Sequence, residues 1–86
     1  MVIYELRVWV IVLEQREFEN LIHKVIAAME NAGYDPVAQF TGYLQNGDET
    51  FITRSGEART IVRSLDKEQI AEYLDKHYPH FKRGTL

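Results

Sequence analysis

The segment GYDPVAQFTGYLQNGDETFITRSGEARTIVRSLDK, residues 33–67, decides how the chain is read. It contains four of the five glycines and one of the two prolines, so the chain is punctuated here and almost nowhere else. Asp35–Pro36 is a helix start: the carboxylate caps, and proline brings a preset φ to the first helical position. Val37, Phe40 and Leu44 then fall on one face, with Tyr43 beside them, which predicts a helix up to Asn46–Gly47–Asp48. Asn-Gly is also a hairpin signal, so two short strands, Tyr43–Gln45 and Glu49–Ile52, are the rival reading. Helix followed by loop agrees with both the cap and the spacing, with Phe51 and Ile52 as apolar plugs. Gly42 is expected to allow close approach of another backbone. Thr53 or Ser55 is expected to cap the next helix, whose stripe is Ala58, Ile61, Val62 and Leu65. Asp66 with Gln69 has the form of a capping box for a further helix.

Upstream, Glu14 to Ala32 is the clearest helix. Phe18, Leu21, Ile22, Val25, Ile26 and Met29 trace one stripe, and Gly33 follows as the stop. Before it, Val2 to Leu13 is rich in β-branched and aromatic residues, which predicts a strand. A single strand leaves backbone groups unpaired along both edges, and its simplest partner is its own copy across a two-fold axis. The alternatives are an N-terminal extension of the first helix, or an arm. Downstream, Ile70, Tyr73, Leu74 and His77 or Tyr78 form the last stripe, Pro79 stops the helix, and His80 to Leu86 reads as a short polar tail that is expected to fray.

The whole is expected to be one domain over residues 1–86: an apolar strand or arm at 1–13, a helical core at 14–78 and a tail at 79–86. The fold class is mainly α, a compact bundle of about four helices with an N-terminal β-strand pairing in a homodimer. Eighty-six residues bury only a modest core, which a partner subunit would supplement.

Composition excludes more than it assigns. There is no cysteine, hence no disulfide, thiolate metal site or cysteine nucleophile. The histidines His23, His77 and His80 form no HxxxH or HExxH pair, so no metal is expected. No nucleophile elbow, phosphate loop or dinucleotide fingerprint occurs, and neither an enzyme nor a cofactor is expected. The apolar start is too short to span a bilayer and lacks the marks of a signal peptide, which predicts a cytoplasmic protein without membrane contact.

One charged feature has geometry. Arg59, Arg63 and Lys67 are spaced i, i+4, i+8, with Arg54 just ahead of them, and a continuous helix would stack them. Guanidinium groups grip carboxylates and phosphates bidentately. The row therefore reads either as a docking face for an acidic or phosphorylated protein surface or as a solvated helix face with local ion pairs. A nucleic-acid-binding helix over Arg54–Lys67 is the alternative function. The net charge of −3 and the lack of an aromatic stacking platform speak against it.

The elements GYDPVAQ, GYLQNGD, FITRSGEAR and IVRSLDK, with the closing IAEYL, resemble the IreB-type regulatory phosphoprotein family of Gram-positive bacteria. The likeness runs from Gly33 to Tyr78 without a gap. It implies a small, almost wholly helical, non-enzymatic homodimer controlled by a membrane Ser/Thr kinase and its phosphatase. It also implies a role in cell-envelope stress and in regulated proteolysis of an enzyme of peptidoglycan precursor synthesis. The family arginines needed for that control match Arg54, Arg59 and Arg63, and the fourth matches Lys67, which keeps the charge and loses the planar fork. The front of the chain departs from the pattern. The family's phosphoacceptor lies in a polar N-terminal arm, whereas no Ser or Thr occurs here before Thr41. Phosphorylation is either absent or moved, with Thr50, Thr53 and Ser55 as candidates.

Overall fold

The computed structural model describes the backbone of residues 2–85 and the side chains of residues 13–84. Its elements are α1 (Val2–Asn31), α2 (Pro36–Asn46), α3 (Ala58–Arg63) and α4 (Lys67–His77), with short 3-10 turns at Glu49–Phe51, Ser55–Glu57 and Arg83–Thr85. No strand occurs among the described residues.

α1 is 30 residues long. At about 1.5 Å per residue it accounts for the long dimension of a molecule measuring 48 × 29 × 21 Å. Its C-terminal half presents the expected stripe: Ile22, Val25, Ile26 and Met29 are buried, and Phe18 and Leu21 pack at the margin. Gly33, at φ 83°, closes it in a Schellman turn. There the Gly33 N–H donates to the Glu30 carbonyl and the Tyr34 N–H to that of Met29.

The strand expected over residues 2–13 is replaced by helix. The backbone continues α1 without a break, as the helical-extension alternative required. The physical reason is that no glycine or proline lies between Val2 and Ala32. A helix already nucleated gains one hydrogen bond for each further residue it fixes, whereas an unpaired strand satisfies none of its backbone groups. The two-fold pairing is expected of strand edges, and the helical backbone of this segment offers none.

α2 begins and ends as its caps dictate. The Asp35 carboxylate accepts from the Val37 N–H, and Gly47 at φ 66° donates its N–H to the Tyr43 carbonyl at 2.7 Å. Asn46–Gly47 is therefore a helix stop and not a hairpin. The Asp66 carboxylate likewise accepts from the Gln69 N–H and starts α4.

α3 begins differently from the expectation. Thr53 Oγ1 accepts from the Ser55 N–H, but this bond organises the 3-10 turn ahead of the helix. α3 itself starts after Gly56 and Glu57, both left-handed at φ 58° and 60°, without a side-chain cap. A Cβ on Gly56 would lie 3.0 Å from the Ala28 Cβ, so this turn is pressed against α1. Ala58 and Val62 then enter the core that α1 shares with Val37, Phe40 and Tyr43 of α2 and with Ile70 and Leu74 of α4. Ile52 plugs the same core at 1% exposure.

The tail is tied down rather than frayed. Phe81 is 5% exposed, its N–H donates to the Tyr78 carbonyl, and Arg83 pairs with Glu68. A lone aromatic beyond a proline carries no periodicity, so its burial is invisible to a stripe argument.

Candidate functional site: a cation cluster clamped onto a turn

The four expected cations lie on three different elements. Arg54 precedes the Ser55–Glu57 turn, Arg59 and Arg63 sit on α3, and Lys67 opens α4 after a break at Ser64–Asp66. They are therefore not one helical row. What brings two of them, Arg59 and Arg63, together is the 3-10 turn Glu49–Phe51, which folds back onto α3.

Arg59 is the clamp. Its Nε donates to the Ile52 carbonyl at 2.8 Å and its Nη2 to the Thr50 carbonyl at 3.3 Å. The side chain is half-buried and holds the end of the turn against α3. Arg63, one helical turn on, grips the Glu49 carboxylate with two N–H groups in the fork geometry of a bidentate pair. Lys67 places its Nζ 5.5 Å from the centre of the Tyr43 ring, a cation–π distance. The expectation of a row of outward-pointing guanidiniums is thus corrected for Arg59 and Arg63. A guanidinium offers five donors and finds acceptors where the backbone supplies them; the turn supplies two carbonyls and a carboxylate within reach. Arg54 alone of the four is exposed with no side-chain partner among the described residues.

The same turn organises its own acids. The Asp48 carboxylate accepts from the Thr50 N–H at 2.9 Å. That bond, with the Arg59 charge nearby, holds the Asp48 carboxyl below its ordinary pKa. The bonds from Arg63 do the same for Glu49, helped by the charges of Arg63 and Arg59. Tyr43 is pushed the other way, first by burial and then by Glu49. Arg59, Arg63, Asp48, Glu49 and Tyr43 thus share one electrostatic neighbourhood. Gln39 closes it from α2, its Oε1 accepting from the Thr53 N–H at 2.9 Å.

Sequence reasoning missed Glu49 and Gln39. Each is fourteen residues from its partner, beyond any helical spacing rule. It also misread Gly42: the close approach is made by the Phe51 ring, whose Cδ1 would lie 2.5 Å from a Cβ at that position. Of the two expected plugs, Ile52 is buried, while Phe51 lies over Gly42 and stays 44% exposed.

The candidate hydroxyls separate by exposure. Thr50 and Ser55 are exposed, whereas Thr53 is 7% exposed and engaged as an acceptor. No group of histidine, aspartate and glutamate arranged to hold a metal occurs among the described residues. Nor is any helix among them long and apolar enough to cross a membrane.

The described residues form a small helical domain with cations around a hydrogen-bonded turn and exposed hydroxyls beside it. The comparison with known families supplies its class, that of a regulatory protein. The model of the IreB regulatory phosphoprotein family matches residues 9–80, and the chain belongs to that family.

Proposed function

We propose that the chain is a non-enzymatic cytoplasmic regulatory adaptor, assembled as a homodimer, that acts by protein–protein contacts. Its place is in the control of cell-envelope stress and peptidoglycan precursor synthesis. Its partner is a precursor enzyme or the protease machinery that removes it. The binding face comprises Arg54, Arg59, Arg63 and Lys67.

The observation that carries this reading is the exposure of the Arg63–Glu49 pair. The Arg63 side chain is 61% exposed although it is paired, and Glu49 is 34% exposed. Water screens such a pair, so a carboxylate on a partner surface can replace Glu49 at little cost. Arg59 then has a different role from the one its spacing implied: it holds the turn in place and so positions Arg63 and Arg54. The carboxylates of Asp48 and Glu49, interleaved with the cations, disfavour a polyphosphate backbone as the ligand.

Control by a Ser/Thr kinase fits the family description, with the acceptor moved from the N-terminal arm to Thr50 or Ser55. Phosphate there would add about two negative charges beside Arg59 and Arg54 and compete for them. Incubation with a kinase of the family followed by mass spectrometry is expected to place phosphate on one of these two hydroxyls. Phosphate found only elsewhere would remove this part of the reading.

The binding role is tested by capture from the source cell, comparing the wild type with Arg54→Ala/Arg63→Ala. Arg59 is spared because its loss would loosen the turn itself. Loss of the captured partner by a folded double variant is expected. Undiminished capture would sink the role of these cations.

A further inference from the structure

A shallow groove lies between the α1–α2 corner and the 50–55 segment, lined by Ala32, Tyr34, Gln39, Phe51, Arg54 and Arg59 among others. Three observations set it apart from the rest of the surface. Its lining holds two arginines and no carboxylate, although acids outnumber bases in the chain by three. Tyr34 and Phe51, at 52% and 44% exposure, are two of the three large hydrophobic side chains exposed among the described residues. Both line this groove. The Arg54 guanidinium has no partner among the described residues.

Single exposed aromatics are ordinary on a protein surface. Two of them beside an unpaired arginine have the composition of an interface core, where tyrosine, phenylalanine and arginine are enriched. The groove is also preorganised. The Phe51 ring is braced against Gly42, Arg59 holds the Thr50 and Ile52 carbonyls on either side of it, and Gln39 accepts from the Thr53 N–H. A ligand would pay little to order these groups.

We infer that this groove binds an extended acidic peptide segment of a partner protein, with an apolar side chain seated between Tyr34 and Phe51 and a neighbouring carboxylate on Arg54. The inference rests on the protein-contact reading above and names the partner's chemistry. Charge selects the ligand: the lining offers guanidinium donors and no acid to repel a carboxylate, and it would reject a basic segment. The ring faces select for an apolar or aromatic anchor.

The test is selection from a random peptide library displayed on phage against the full chain. The selected peptides are then synthesised with a fluorescent label and titrated by anisotropy. Acidic peptides with one apolar or aromatic anchor are expected. Arg54→Glu is expected to weaken their binding by about tenfold or more, and added salt to weaken it further. Gly42→Ala supplies an independent probe. It favours α2 yet places a methyl where the Phe51 ring sits, so it is expected to reduce binding with the thermal melt preserved.

Failure to select peptides, selection of basic or neutral ones, or affinity indifferent to both variants would overturn the inference. The two readings fail separately. If peptides do not select but capture of the cellular partner is still lost with Arg63→Ala alone, a residue outside the groove lining, the groove is wrong and the cation face stands. If capture is also indifferent, both fall.

Discussion

Two clefts among the described residues are built from similar residues, and they behave in opposite ways. The cleft between α1 and α4 is lined by Phe18, Glu19, Glu72, Tyr73, Lys76 and His77. Its aromatics spend themselves on one another. The Tyr73 ring meets Phe18 edge-on and lies 4.3 Å from His77 between centroids, and its hydroxyl is 2.9 Å from His23 Nε2. In the groove beside the 50–55 segment, Tyr34 and Phe51 are exposed and Arg54 has no partner among the described residues. Aromatic and charged side chains that satisfy each other stabilise a helix pair; the same types left unsatisfied on a braced scaffold are available to a ligand. Residue type does not separate the two cases, and partner geometry does.

The comparison is broken most directly at Tyr73. Tyr73→Ala removes ring contacts with Phe18 and His23 of α1 and His77 of α4, together with the hydrogen bond to His23. It is expected to cost about 3 kcal/mol of unfolding free energy by urea titration, with little change at the groove. A loss within about 0.5 kcal/mol, the usual range for a surface substitution, would mean that this cleft is as idle as the other.

Arg59→Ala is expected to cost about 2 kcal/mol, since it leaves the Ile52 carbonyl without its donor. Amide exchange is the sharper readout, and faster exchange at residues 49–53 is expected than in α1. Gly56→Ala should cost about 1 kcal/mol or more by thermal melt. It forces a side chain to φ 58° and sets a Cβ 3.0 Å from that of Ala28. Phe51→Ala is expected to lie within about 0.5 kcal/mol of the wild type in stability yet to lose peptide binding, the signature of a side chain kept for contact. A large stability loss there would move Phe51 into the structural class with Tyr73.

The smallest effect is a pH dependence. The bonds from Arg63 lower the Glu49 pKa below its ordinary 4.5. A carboxyl lowered on folding contributes stability that is complete above its unfolded pKa and lost as pH falls through the folded one. The stability difference between wild type and Glu49→Gln is therefore expected to be constant at neutral pH. It should shrink only below about pH 4.5, read by melts across an acid series. A difference that grew on acidification would contradict the pair.

Much of the fold was legible because it is written locally. The Ile22–Met29 stripe, the Schellman turn at Gly33, the Asp35 and Asp66 caps and the Gly47 stop each relate residues a few positions apart. Where reading failed, it weighed composition over punctuation. The β-branched residues of 2–13 outvoted the absence of any helix breaker between them and Ala32. Thr53 and Ser55 look like caps for α3, yet the left-handed pair Gly56–Glu57 intervenes.

The candidate site was legible only as residue types. Arg54, Arg59, Arg63 and Lys67 were marked by spacing, and the spacing implied a shared face. Sequence alone determined that four helices form, where α2 and α4 start, and that four cations cluster along residues 54–67. Tertiary structure decided that Arg59 clamps carbonyls seven and nine residues away and that Arg63 takes Glu49 fourteen away. It likewise decided that Phe51 rests on Gly42 and that Arg54 is left over. The reason is range: caps and stripes are set by neighbours along the helix, whereas a long cationic side chain goes to whichever acceptor the fold brings within reach.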